Sequence, residues 1–175
     1  MNQTVSVDKQ IKKIISDLNA MPDQVQQASI FAMNRTAEWM KGRLSKEISA
    51  EQRLKLKLIR DRIVMQRANK RNPQAQLHCD FKSVFVKDLH PINQNAVGVV
   101  AGGKTYPHAF IATLRKGGKS GVYRRTTKKR FPVKSVTIPI FDDASRRVEN
   151  LIGTEAKEVF EKRFLHEIKR ITGAV

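Results

Sequence analysis

The sequence predicts an α+β fold with long N-terminal helices, a central and mainly antiparallel sheet, and a long C-terminal helix. Three observations carry that expectation. Apolar residues recur at helical spacing in the first and last thirds of the chain. The middle third switches to short, β-branched runs punctuated by Gly and Pro. No linker or internal repeat divides the 175 residues, so a single domain is expected over 1–175. Within it, 1–63 reads as helical, 64–140 as sheet and basic loops, and 141–173 as the C-terminal helix.

Ile11, Ile14, Ile15 and Leu18 place a short amphipathic helix over residues 8–20. Met21-Pro22-Asp23 breaks and restarts the helix, because Pro suits a first helical turn and an acid suits its positive end. Val25, Ala28, Ala32, Trp39, Met40, Leu44 and Ile48 then mark a long second helix ending near Ala50, and Leu54, Leu58 and Ile59 a third over 52–63. Strands are expected at 63–66, 76–81, 83–87, 96–101, 122–125 and 133–140, with a turn at Asn72-Pro73. Pro139 assigns the last of these to an edge or a strand end. The apolar run Ala96–Ala101 closes at Gly102-Gly103. From Asp142 and Asp143, a stripe of Val148, Leu151, Ile152, Ala156, Val159, Phe160, Phe164, Ile168 and Ile171 runs to a stop at Gly173. About 30 helical residues would span roughly 45 Å.

A chain of this length buries roughly 70% of its unfolded surface, so its core requires neither metal nor disulfides. One cysteine, Cys79, leaves no intramolecular disulfide and suits a reducing compartment. Residues 1–20 carry charges among the apolar positions and lack a secretory h-region, and no apolar run reaches the roughly 20 residues that span a bilayer. The expectation is a protein made in the cytoplasm with no membrane partner.

Charge is the most informative property. The chain holds 34 Lys and Arg against 16 Asp and Glu, a formal balance of +18. Such a surface repels copies of itself unless an anionic neighbour compensates. The excess is concentrated. One cluster is Arg53, Lys55, Lys57, Arg60, Arg62, Arg67, Lys70 and Arg71, interrupted only by Asp61. The other runs from Lys104 to Lys134 and contains Arg115, Lys116, Lys119, Arg124, Arg125, Lys128, Lys129 and Arg130. No acid occurs from Leu89 to Phe141. Both clusters offer cations for phosphate, but equally for acidic protein surfaces, and charge patterning does not separate the two. No base-reading motif is present. Tyr106, Phe110, Tyr123 and Phe131 are the only aromatics interleaved with the second cluster, sparse for a stacking platform.

Apparent enzyme signatures dissolve on inspection. Gly98–Thr105 satisfies the phosphate-loop pattern, but Val99, Val100 and Ala101 belong to a strand-like run, Pro107 falls within the first turns of the required helix, and Tyr106–His108 shows no helical pattern. The four histidines, His78, His90, His108 and His166, form no metal-ligand pair. Cys79 reads as a small buried strand residue rather than a nucleophile. Asp142-Asp143 reads as a helix start rather than an acid/base pair. No catalytic residue, cofactor or metal is expected.

Several stretches in order resemble one family. Ala32-Met33-Asn34-Arg35, Leu58-Ile59-Arg60-Asp61-Arg62 and Ala68-Asn69-Lys70-Arg71-Asn72-Pro73-Gln74-Ala75 are similar to segments of the prophage minor tail protein Z family. So are His108-Ala109-Phe110-Ile111, Leu114-Arg115-Lys116-Gly117, and Arg130-Phe131-Pro132-Val133-Lys134-Ser135-Val136-Thr137-Ile138-Pro139. Together they cover about residues 28–170. The resemblance implies a non-enzymatic protein of long-tailed bacteriophages that acts in tail completion at the head-proximal end. It also implies tail or neck proteins as partners, self-association as a ring or other homo-oligomer, and a path from host cytoplasm to virion tail. Contact with the DNA end is left open. The alternative is a freestanding, basic nucleic-acid-binding accessory protein.

Overall fold

A computed structural model of the chain describes residues 9–114 and 118–173. Helices stand at both ends, with short antiparallel strands between, as an α+β fold requires. Three helices come first: α1 (Lys9–Asp17), α2 (Pro22–Gln52) and α3 (Leu56–Asp61). Ten strands follow: β1 (Ile63–Gln66), β2 (Gln76–Cys79), β3 (Val84–Phe85), β4 (Ile92–Gln94), β5 (Gly98–Ala101), β6 (Lys104–Pro107), β7 (Ala109–Ala112), β8 (Gly121–Arg125), β9 (Val133–Ser135) and β10 (Thr137–Ile138). The chain closes with α4 (Phe141–Leu151), a π-helical turn at Ile152–Ala156, and α5 (Lys157–Thr172). The α-carbons divide into two compact units.

The first unit comprises 1–44, 63–79 and 146–175. Its core is built on small residues. Ala28 and Ala32 of α2 are fully buried against Phe164 and Ile168 of α5, with Ile15, Leu18, Val25, Phe160 and Ile171 packed around them. Side chains as small as alanine let two helices approach closely while the long α5 side chains fill the gap. The Ile11 and Ile14 side chains of the predicted stripe lie outside the described ones. β1 and β2 form an antiparallel pair in register Ile63↔Cys79 to Gln66↔Gln76. Burial raises the pKa of the Cys79 thiol above its ordinary value, so it holds little thiolate at neutral pH.

The second unit comprises 45–62 and 80–145 and is mainly sheet. β4, β5 and β6 form one three-stranded sheet, and β7, β8 and β9 another. Val136 joins the second of these to a further pair. Its N–H donates to Val122 O and its carbonyl accepts from Val86 N, each at 2.9 Å, which links the second sheet to the separate β10–β3 pair at the break between β9 and β10. Ala109 and Val122 are buried on one face of the β7–β8 ladder, and Val84 is buried in the β10–β3 pair. Phe110 and Tyr123 share the other face of the first, and Phe85 alternates with Val84 and Val86 along β3 and the turn after it.

Several boundaries differ from the sequence reading, each for a local reason. The third helix spans only Leu56–Asp61, because Arg53 leaves the helical region (φ 51°) and Leu54 bridges Leu89. The strand expected over 76–81 stops at Cys79, and that over 83–87 gives way to a 3-10 turn at Val86–Asp88. The 133–140 run is two strands, with Ile140 accepting the first helical bond of α4 from Ala144. The C-terminal helix is helical throughout as expected, but it changes to π geometry at Ile152–Ala156 before ending on left-handed Gly173 (φ 75°).

Candidate functional site

The phosphate-loop lookalike is a β-hairpin. Gly98–Ala101 pairs with Lys104–Pro107 in register Gly98↔Pro107 to Ala101↔Lys104. Gly102 (φ 57°) and Gly103 (φ 79°) supply the two left-handed positions that a tight two-residue turn demands. Gly98 permits close approach, since a Cβ there would sit 2.2 Å from the Tyr106 carbonyl oxygen. The amides a phosphate would need are committed to the ladder. Among the described residues, no three His, Cys, Asp or Glu side chains gather as metal ligands.

The first basic cluster is divided between the two units. Arg53, Lys55, Lys57, Arg60 and Arg62 fall in the second unit, whereas Arg67, Lys70 and Arg71 fall in the first. Arg62 is an internal brace whose Nη1 donates to Lys82 O at 3.0 Å and Asp80 O at 3.4 Å. Arg53 lies over Gly103, and its carbonyl accepts from His90 N at 3.3 Å. Arg67 pairs with Glu38 at 3.4 Å. Lys55, Lys57, Arg60, Lys70 and Arg71 are exposed.

The 67–75 loop that carries Lys70 and Arg71 is held firmly. Asn34 of α2 donates through Nδ2 to Ala68 O (3.0 Å) and accepts through Oδ1 from Ala68 N (2.8 Å). Asn69 Oδ1 accepts from both Arg71 N and Asn72 N. The adjacent Arg35 forms an ion pair with Glu167 of α5, which is completely buried. Arg170 completes the group, its Nη2 2.8 Å and its Nε 2.9 Å from Glu167 Oε2. Arg35 approaches Oε1 as a charge partner without a well-aligned hydrogen bond. Sequence reasoning missed this cluster, because no local pattern links Arg35 to Glu167.

Most of the second basic cluster that the structure describes lies on the β8–β9 hairpin. Arg124 and Lys134 face each other directly across the ladder, and Arg125 opposes Val133. The connecting turn is closed by Thr126, whose N–H and Oγ1 both donate to Pro132 O at 3.2 and 3.1 Å. It displays Lys128, Lys129 and Arg130, all exposed. Lys119 and Lys104 are exposed as well, while Arg115 and Lys116 lie outside the described residues. Like charges directly opposite on a sheet destabilise it by up to about 1 kcal/mol. Among the described residues, neither Arg124 nor Lys134 has an acidic partner, and no acid lies between Leu89 and Phe141 to supply one. The second unit holds 18 of the 34 Lys and Arg but only 7 of the 16 Asp and Glu.

The sequence profile described as prophage minor tail protein Z matches residues 9–172. The chain belongs to that family. Its members are structural phage tail proteins, not a class of enzyme. The chain is also 29% identical over 144 residues to a protein of Escherichia phage N15 named tail completion protein, covering 75% of this chain and 78% of that one. No solved structure matches it. Two of the family-like stretches, Ala32–Arg35 and Ala68–Asn72, meet through the Asn34–Ala68 bonds. No described helix is long and apolar enough to cross a membrane.

Proposed function

We propose that this protein completes the phage tail at its head-proximal end, and that the β8–β9 hairpin is the part that seats on an anionic neighbour. The family and the name of the phage N15 relative support the tail role. The observation that carries the hairpin's part is Arg124 set directly against Lys134 in an acid-free stretch. A folding chain gains nothing from that pair. An incoming anion lying between two aligned cations reverses the sign of the interaction. The protein assembles in the host cytoplasm with tail or neck proteins and with copies of itself, then resides in the virion tail.

Charge reversal at Arg124, Arg125, Lys128 and Lys129 tests this reading. The variant should fold normally yet fail to restore infectious particles to a phage lacking its own copy. Normal infectivity would overturn the hairpin's role. Salt-steep DNA binding with no association to tail components would favour the freestanding nucleic-acid-binding alternative.

A further inference from the structure

The open face of the β7–β8–β9 sheet and the β10–β3 pair joined to it at Val136 bring together residues that are scattered in sequence. Cross-strand partners share a face, so Phe110 stands beside Tyr123, Tyr123 beside Ser135, and Thr137 beside Phe85. The burial pattern agrees. Val122, Val84 and Val86 are buried on the opposite face, whereas Phe85 is 44% exposed and Phe110 and Tyr123 are partly exposed. Phe110 and Tyr123 lie 6.3 Å apart between ring centroids. Tyr123 covers Gly121, where any Cβ would meet its ring within 2.8 Å. Ser135 beside Tyr123 and Thr137 beside Phe85 are small or polar.

Cations accompany these rings. The Arg125 guanidinium lies 5.6 Å from the Phe110 centroid and the Lys87 ammonium 5.4 Å from that of Phe85. At the hairpin turn, Arg130 lies 5.8 Å from the Phe131 centroid, and Phe131 is 58% exposed. Phe110 and Phe85, each beside a positive charge, together with Tyr123 and the nearby basic turn, combine two complementary features. The rings suit flat, unpaired bases, and the cations suit the phosphates linking them. A duplex hides its base faces and would use the cations alone. An acidic peptide would use the cations and leave the rings without a matching surface.

We infer that this sheet face binds single-stranded nucleic acid, with Phe110, Tyr123 and Phe85 as stacking rings and Arg125, Lys87 and the turn cations Lys128, Lys129 and Arg130 as phosphate contacts, while Arg124 and Lys134 point from the opposite face. The inference rests on the reading that the second unit faces a polyanion, and it adds which polyanion and which surface.

The test is binding of a labelled oligo-dT strand to the full chain, followed by fluorescence anisotropy, with a duplex of equal length and poly-glutamate as competitors. The variants Phe110→Leu, Tyr123→Leu and Phe85→Leu keep apolar bulk but remove the π-face. An unchanged circular dichroism spectrum and melting temperature establish that each is folded, and Phe85→Leu, at the most exposed position, serves if the other two are not. Each should weaken oligo-dT binding roughly tenfold, with duplex and poly-glutamate competing poorly. Equal or tighter duplex binding, effective competition by poly-glutamate, indifference to the leucine variants, or no binding at low salt would each overturn it. Failure of this assay leaves tail completion intact, since that is judged by infectivity.

Discussion

The two units of the chain treat positive charge in opposite ways. In the first, cations hold the fold together. Arg35 and Arg170 neutralise the buried Glu167, Arg67 meets Glu38, and Arg43 meets Glu155. In the second, Arg124 is set against Lys134, and Lys128, Lys129 and Arg130 crowd an exposed turn. A buried carboxylate needs its cations whether or not a partner arrives. A pair of aligned cations gains favourable contacts only when an anion arrives. Arg35, Arg43, Arg67 and Arg170 of the first unit thus have acidic partners, and Arg62 braces the second. The hairpin cations, by contrast, have no acidic partner among the described residues, and net charge alone does not separate these arrangements.

Substitutions sharpen that contrast. The largest effect should come from replacing Arg35 and Arg170 together with alanine, which leaves Glu167 buried with neither of its cations. Partial exposure of both arginines moderates the loss, so about 3 kcal/mol is expected, read as a lower urea midpoint. Glu167→Gln should cost clearly less. Asn34→Ala comes next. It removes both bonds to Ala68 and leaves that residue's backbone N–H and carbonyl without their side-chain partners, so about 2 kcal/mol is expected, with faster amide exchange through 67–75 as a second readout. The smallest effect, of opposite sign, belongs to the second unit. Arg124→Glu converts a repulsive cross-strand pair into an attractive one and should raise the melting midpoint slightly, by about 0.5 kcal/mol in stability. A loss matching that of the arginine pair would erase the contrast.

The helices were readable because their apolar stripes are long and end on strong signals, Pro22 at one start and Gly173 at the last stop. The switch to π geometry at Ile152–Ala156 was not, since the same stripe continues through it. Strands β4, β6 and β7 escaped notice for a different reason. Ile92–Gln94 is too short to alternate, Lys104–Pro107 mixes a charge with a proline, and Ala109–Ala112 is a four-residue run whose partner is set by tertiary pairing.

The hairpin cations were visible in sequence as an acid-free stretch. Their direct opposition was not, because it depends on the register Arg124↔Lys134 across a seven-residue turn. Aromatics that look sparse along the chain gather once Phe110 and Tyr123 are placed opposite each other on β7 and β8, with Phe85 on the pair joined to that sheet at Val136. The Arg35–Glu167 pair joins opposite ends of the sequence, where no periodicity reaches.

The most direct test is the yield of infectious particles from a phage that lacks its own copy and is supplied with the single variant Arg124→Glu. Because that change should leave the fold at least as stable as before, a lower yield reports a lost contact and not a lost fold. A yield reduced by at least tenfold is the expected result. Full yield would show that the aligned cations serve no partner, and the division of labour between the two units would fail with it.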